Sequence, residues 1–199
     1  MKPQNLLLLF VFFCGSCASG YKTINPPTLN YLSNSSDKSV SMDYKYNLLP
    51  KKYAKKEFKN KIKLIAVKFT NNSGRDLIFG KDIKLVFGNG NEVVLIGADD
   101  VFAELKQQTP LYLLYLLLTP MTFNTTSNGT QTSSIPIGLV VGPGIAAGNM
   151  IAAGSANKAF KEELTKYAIA GTTIKNGATT YGLVGIGASD FESLKVKVY

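Results

Sequence analysis

The side chains best suited to acid–base or metal chemistry in this sequence are two carboxylate pairs, Asp99-Asp100 and Glu162-Glu163. Neighbouring carboxylates can share a proton or grip a cation, but here they have no imidazole to work with, because the chain contains no histidine. That absence removes the commonest general base and zinc ligand, and with them every imidazole-activated Ser or Cys nucleophile. Asp99-Asp100 directly precedes "VFAELK", a position that suits the positive N-terminal end of a helix. Glu162-Glu163 lies among Lys158, Lys161 and Lys166, a spacing that predicts ordinary surface pairs on a helix. The glycines of "IPIGLVVGPGIAAGNMIAAGSAN" (135–157) offer a third option, a phosphate cradle. A P-loop needs a lysine directly after its second glycine, and none is present. The dinucleotide fingerprint fails too, because Gly142-Pro143-Gly144 is followed by glycine one residue late. The expectation is a non-enzymatic protein with no cofactor and no metal.

Cys17 is a different matter. The chain opens "MKPQNLLLLFVFFCGSCASG", in which Lys2 precedes an apolar core, Leu6 to Phe13, and then small residues. This is the layout of a secretory signal, and its apolar part is too short to span a bilayer. Gly15-Ser16-Cys17 resembles a bacterial lipobox, in which the signal is removed just before a cysteine that becomes acylated. The departure is Cys14, where the pattern prefers leucine. The resemblance implies a signal peptide over 1–16 and lipidation at Cys17; two or three acyl chains then anchor stably where one would not. After the cysteine, Pro26-Pro27 and a Ser/Asn cluster predict a flexible tether over 17–38. No acidic run follows Cys17; in lipoproteins of the Bacteroidetes type such a run favours export to the outer face, so likeness to them implies a periplasm-facing anchor in the outer membrane.

The formal charge is +9, and seven lysines (51, 52, 55, 56, 59, 61 and 63) crowd into thirteen residues. Such a cluster can meet anionic headgroups, with Lys51, Lys52, Lys55, Lys56 and Lys59 as the contacts, or it can simply be a solvated face. Tyr44, Tyr46 and Tyr53 among the lysines could stack bases. An exported lipoprotein does not meet nucleic acid, so no nucleic-acid partner is expected.

The elements that must carry these residues are mainly strands. In "VSMDYKYNL" the apolar residues alternate, as they do at Ile65, Val67 and Phe69 and again at Ile83, Leu85 and Phe87. Asn89-Gly90 is the dipeptide of a two-residue type I′ hairpin, and Asn176-Gly177 marks another turn. Short strands at this spacing predict an antiparallel β-sandwich over 39–199. That sandwich is interrupted at about 107–168, because the fifty-one residues between Lys106 and Lys158 contain no Asp, Glu, Lys or Arg. An aromatic-aliphatic run (109–121), a polar Thr/Ser/Asn stretch and the glycine-rich run together predict an apolar, Gly/Ala-rich helical hairpin. Gly144, Gly148, Ala152 and Ala156 recur every fourth residue and form its expected contact face, whether against the protein's own leucines, lipid or another copy.

"KLIAVKFTNNSGRDLIF" with the terminal "TIKNGATTYGLVGI…LKVKV" resembles the immunoglobulin-like accessory domains of bacterial secreted lipoproteins. With "CASGYKTINP" and "YKYNLLPKKYAKKE", the chain looks like a family of uncharacterised Bacteroidetes-type lipoproteins. The resemblance implies an Ig-like β-sandwich of mainly β (α+β) class and a cell-envelope location, and it implies no activity. Two functional expectations follow. The first is a lipid-anchored envelope protein with a structural or protein-binding role and an envelope protein as partner. The second is a membrane-active protein whose hairpin (109–157) inserts into a bilayer.

Overall fold

The computed structural model describes residues 17–127 and 130–199; the signal peptide expected over 1–16 lies outside them. The described chain divides into two compact units. One is Tyr21–Lys106 with Asn157–Tyr199, and the other is Cys17–Gly20 with Gln107–Ala156. The class is mixed α/β with antiparallel sheets.

The larger unit is built on β1 (Ser33–Asp37), β2 (Val40–Lys45), β3 (Ile62–Asn71), β6 (Leu95–Ile96) and β10 (Thr179–Gly187). They form one antiparallel sheet in the order β1-β2-β3-β10-β6. Its inner face carries Val40, Met42, Ile65, Val67, Phe69, Val184 and Ile186. These pack on β5 (Ile83–Phe87) paired with β11 (Leu194–Val198), and on β4 (Leu77–Ile78) paired with β9 (Thr173–Ile174). The outer face of β3 and β10 is covered as well. Leu64, Ala66 and Leu183 meet Tyr53 of α1 (Lys51–Asn60), Val101 and Leu105 of α2 (Ala98–Leu105), and Phe160 and Leu164 of α3 (Gly138–Lys166). Burial on both faces explains why apolar Leu64, Ile65, Ala66 and Val67 follow one another where a half-buried strand would alternate.

The sheet approaches closure at β11 but does not complete it. Backbone N–H groups of Leu194, Val196 and Val198 point away from β5 and donate to the Tyr44 hydroxyl (3.0 Å), Ser35 Oγ (3.1 Å) and Asp37 Oδ2 (2.7 Å). Side chains of β1 and β2 thus satisfy an edge that would otherwise invite another strand. The Asn89-Gly90 turn also departs from expectation. Only Gly90 has positive φ (92°), and the Phe87 N–H reaches the Asn91 carbonyl, so the loop is longer than two residues. A type I′ turn would need Asn89 in the left-handed region too.

The segment expected to be a flexible tether is docked from Tyr21 onward. Ile24 and Pro26 are buried, and β1 lies within 33–37. The reason is Glu163, which was expected on a charged surface. It is buried, and its carboxylate accepts from the Ile24 N–H (2.9 Å), the Asn25 N–H (2.7 Å) and the Tyr21 hydroxyl (2.5 Å). A charge-assisted cluster of this kind holds the extended strand where composition alone suggests freedom.

The smaller unit consists of a 3-10 helix (Thr109–Leu118), the hairpin β7 (Phe123–Ser127) and β8 (Thr130–Ile135), and the first part of α3. The expected helical hairpin is therefore present in altered form. Its first arm is a 3-10 helix, its tip is a polar β-ribbon, and its second arm continues into the larger unit as one 29-residue helix.

Candidate functional site

Cys17 is exposed, and the two residues that follow it are fixed to the smaller unit. The Ala18 N–H donates to Asn149 Oδ1 (2.5 Å), while Asn149 Nδ2 donates to the Ile145 carbonyl one turn back on α3. Ser19 is gripped at both ends by the buried side-chain amide of Gln107. Gln107 Oε1 accepts from the Ser19 N–H (2.9 Å), and Nε2 donates to the Ser19 carbonyl (2.6 Å). Gln107 and Asn149 are polar but uncharged side chains of the charge-free window, and both serve the backbone beside Cys17. Sequence reading missed them, since a lone Gln or Asn carries no spacing signal.

The helix face that packs within the unit is a different one from the row Gly144, Gly148, Ala152 and Ala156. A Cβ added at Gly144 or Gly148 would meet nothing within 4 Å, and Ala152 is exposed; of the predicted stripe only Ala156 is buried. The packed face is offset by two residues. At Gly138 a Cβ would fall 2.2 Å from the Leu118 carbonyl, and at Gly142 it would fall 3.0 Å from the Tyr115 carbonyl. Ala146 and Ala153 continue that row against Tyr112 and Tyr115. Two glycine/alanine rows run along this helix, and the 3-10 arm takes the one whose first residues permit backbone contact.

Beside the polar ribbon, much of what remains uncovered is apolar. Thirteen of the eighteen large apolar side chains exposed among the described residues belong to the smaller unit, including Leu117 (74%), Val140 (76%) and Ile151 (71%). Its buried cluster is small: Tyr112, Tyr115, Ala146 and Ala153. No family model, curated protein or solved structure matches this chain.

The lysine cluster is partly consumed by the fold. Lys55 and Lys59 are exposed on α1 and Lys52 is half-buried. Lys56 donates to the Lys106 carbonyl at the C-terminal end of α2, where a cation also meets the helix dipole. Lys63 is buried, its ammonium 4.6 Å from the Phe191 ring centre. The Lys51 side chain lies outside the described residues. The carboxylates follow a similar course. Asp99 and Asp100 occupy the first turn of α2 without a side-chain cap bond, and Glu57, inside the lysine helix, is buried and accepts from the Leu64 N–H (2.8 Å). A crevice at Leu64, Val101, Leu164 and Leu183 has about 20 Å³ of space, room for one water.

Proposed function

We propose that this protein is a non-enzymatic cell-envelope lipoprotein, acylated at Cys17, with a structural or protein-binding role carried by the larger, Ig-like β unit. It faces the periplasm from the outer membrane. The observation that carries the reading is Cys17 itself: exposed, preceded by Gly15-Ser16, and followed by two residues whose backbone is clamped by Asn149 and Gln107. The clamp fixes the attachment point of the acyl chains to a folded unit, so the anchor bears on that unit directly and not through a long leash. The resemblance to Bacteroidetes-type lipoproteins supports the same location, and the inner-face core between the five-stranded sheet and the β5-β11 pair supports the Ig-like reading.

Cys17→Ser tests it in cells. The substitution should abolish signal removal at this site and remove incorporation of labelled palmitate. Unchanged processing, or palmitate retained on the Cys17→Ser chain, would overturn the lipidation reading.

A further inference from the structure

The smaller unit raises a question that anchoring alone does not answer, because an acyl anchor needs no apolar protein surface. We infer that this unit lies in the bilayer interface, its apolar face sunk into one leaflet beside the acyl chains of Cys17. The inference rests on the lipoprotein reading only for which bilayer is met; the insertion itself is argued from the unit.

Three observations name lipid as the occupant. First, the covered and uncovered surfaces of the unit are drawn from fifty-one consecutive residues without a charge. A protein partner accepts charged residues around the rim of an interface, whereas hydrocarbon accepts none. Second, the charge-free window is bounded in the sequence by Lys106 and Lys158; lysines that flank an apolar stretch can meet phosphate headgroups while their stems stay in apolar surroundings. Third, the backbone beside Cys17 is hydrogen-bonded to Asn149 and Gln107 of the same unit, so acyl chains on Cys17 and the exposed leucines belong to one folded unit.

Geometry decides between lying in the membrane and crossing it. The 29-residue α3 is long enough to cross and apolar enough over an 18-residue window. Its partner arm is not: ten residues of 3-10 helix rise about 20 Å at ~2 Å each, against ~30 Å of hydrocarbon. The tip joining the arms is a two-stranded ribbon rich in Thr, Ser and Asn. A stretch this polar is costly to place in the hydrocarbon core. A hairpin too short to carry its polar tip across, and unable to leave it halfway, lies along the interface.

The chain from residue 17 onward with Cys17→Ser contains every described contact and no acyl group, and it tests insertion without the anchor. The chain has no tryptophan, so Val140→Trp adds a single reporter at a 76% exposed site. With neutral phosphatidylcholine vesicles the chain should float with lipid, its Trp emission should shift to the blue, and lipids brominated near the headgroup end should quench it more than lipids brominated at the chain ends. Leu117→Glu, Val140→Glu and Ile151→Glu replace exposed side chains, so circular dichroism should be unchanged while vesicle binding falls roughly tenfold or more for each. Three results would overturn the inference: emission that stays as in buffer, binding confined to anionic vesicles and lost in high salt without sensitivity to the Glu substitutions, or a lipid-free dimer in which the same Glu substitutions break self-association. Strongest quenching from the chain ends would replace interfacial lying with deep insertion. Failure of lipidation at Cys17 leaves all these readings intact, so the two claims fail separately.

Discussion

At the residue scale the informative side chains are the buried polar ones. Glu57 sits on a lysine-rich helix, yet its carboxyl is buried, and that burial pushes its pKa up to about 7 against the opposing help of the Leu64 N–H and the Lys63 charge. The unfolded chain releases this proton near 4.5 and the folded chain near 7. Between those values the folded state holds more protons than the unfolded one, so stability falls as pH rises through the window. Glu57→Gln should flatten that slope while keeping an oxygen for the Leu64 N–H. Thermal unfolding from pH 4.5 to 7.5 measures it, and an equally steep fall in the Gln variant would show that other groups cause the dependence. Asn71 is a second such residue. Fully buried, it donates to the Arg75 and Ile174 carbonyls and accepts from Ser73, joining the two turns that "NNSG" and "KNG" mark in the sequence. Turn residues were legible there; the bond that links the turns was not, because its partners are about a hundred positions apart.

At the element scale, period and spacing foretold strands better than helices. Alternation placed β2, β3 and β5 correctly because each buries one face on the inner core. The outer face of β3 and β10 shows how a strand adapts to a helix. A Cβ on Gly185 would lie 2.2 Å from Val101 Cγ2 and 3.0 Å from the Ile96 carbonyl, so this glycine is what lets α2 sit against the sheet. Gly185→Ala should cost about 1–3 kcal/mol by overpacking. Val101→Ala alone costs stability by leaving a cavity, but combined with Gly185→Ala the loss should be clearly smaller than the sum of the two. Urea denaturation of the four chains checks this, and strict additivity would place the strain elsewhere. Helical spacing does not say which small-residue row packs inside the unit, for a reason of the same kind: the row Gly144, Gly148, Ala152, Ala156 and the row through Gly142 and Ala146 both have small residues. Only the close approach of the Tyr115 and Leu118 carbonyls distinguishes them.

At the scale of the whole molecule, the two units differ in what holds them. The larger has inner and outer clusters of nineteen and eleven buried residues among those described; the smaller has four. One continuous helix belongs to both, its residues to Ala156 in the smaller unit and those from Asn157 in the larger. Local opening should follow the local core. Amide exchange is therefore expected to step along α3: fast over 144–154, slow around Phe160 and Leu164, and slowed over 144–154 once vesicles are added. Uniform protection along the helix in buffer would mean that the small cluster suffices on its own.

The sequence by itself determined the absence of imidazole chemistry, the charge-free window and its lysine boundaries, the lipobox-like cysteine and most strand positions. Each of these is a property of residue type or of short-range period, and folding cannot alter it. Tertiary structure alone decided that Glu163 ties down Tyr21–Asn25, that Lys56 and Lys63 are spent inside the fold, and which of two small-residue rows is packed. Each of these depends on groups far apart in the chain meeting at hydrogen-bond or van der Waals distance, and composition and spacing carry no record of such meetings.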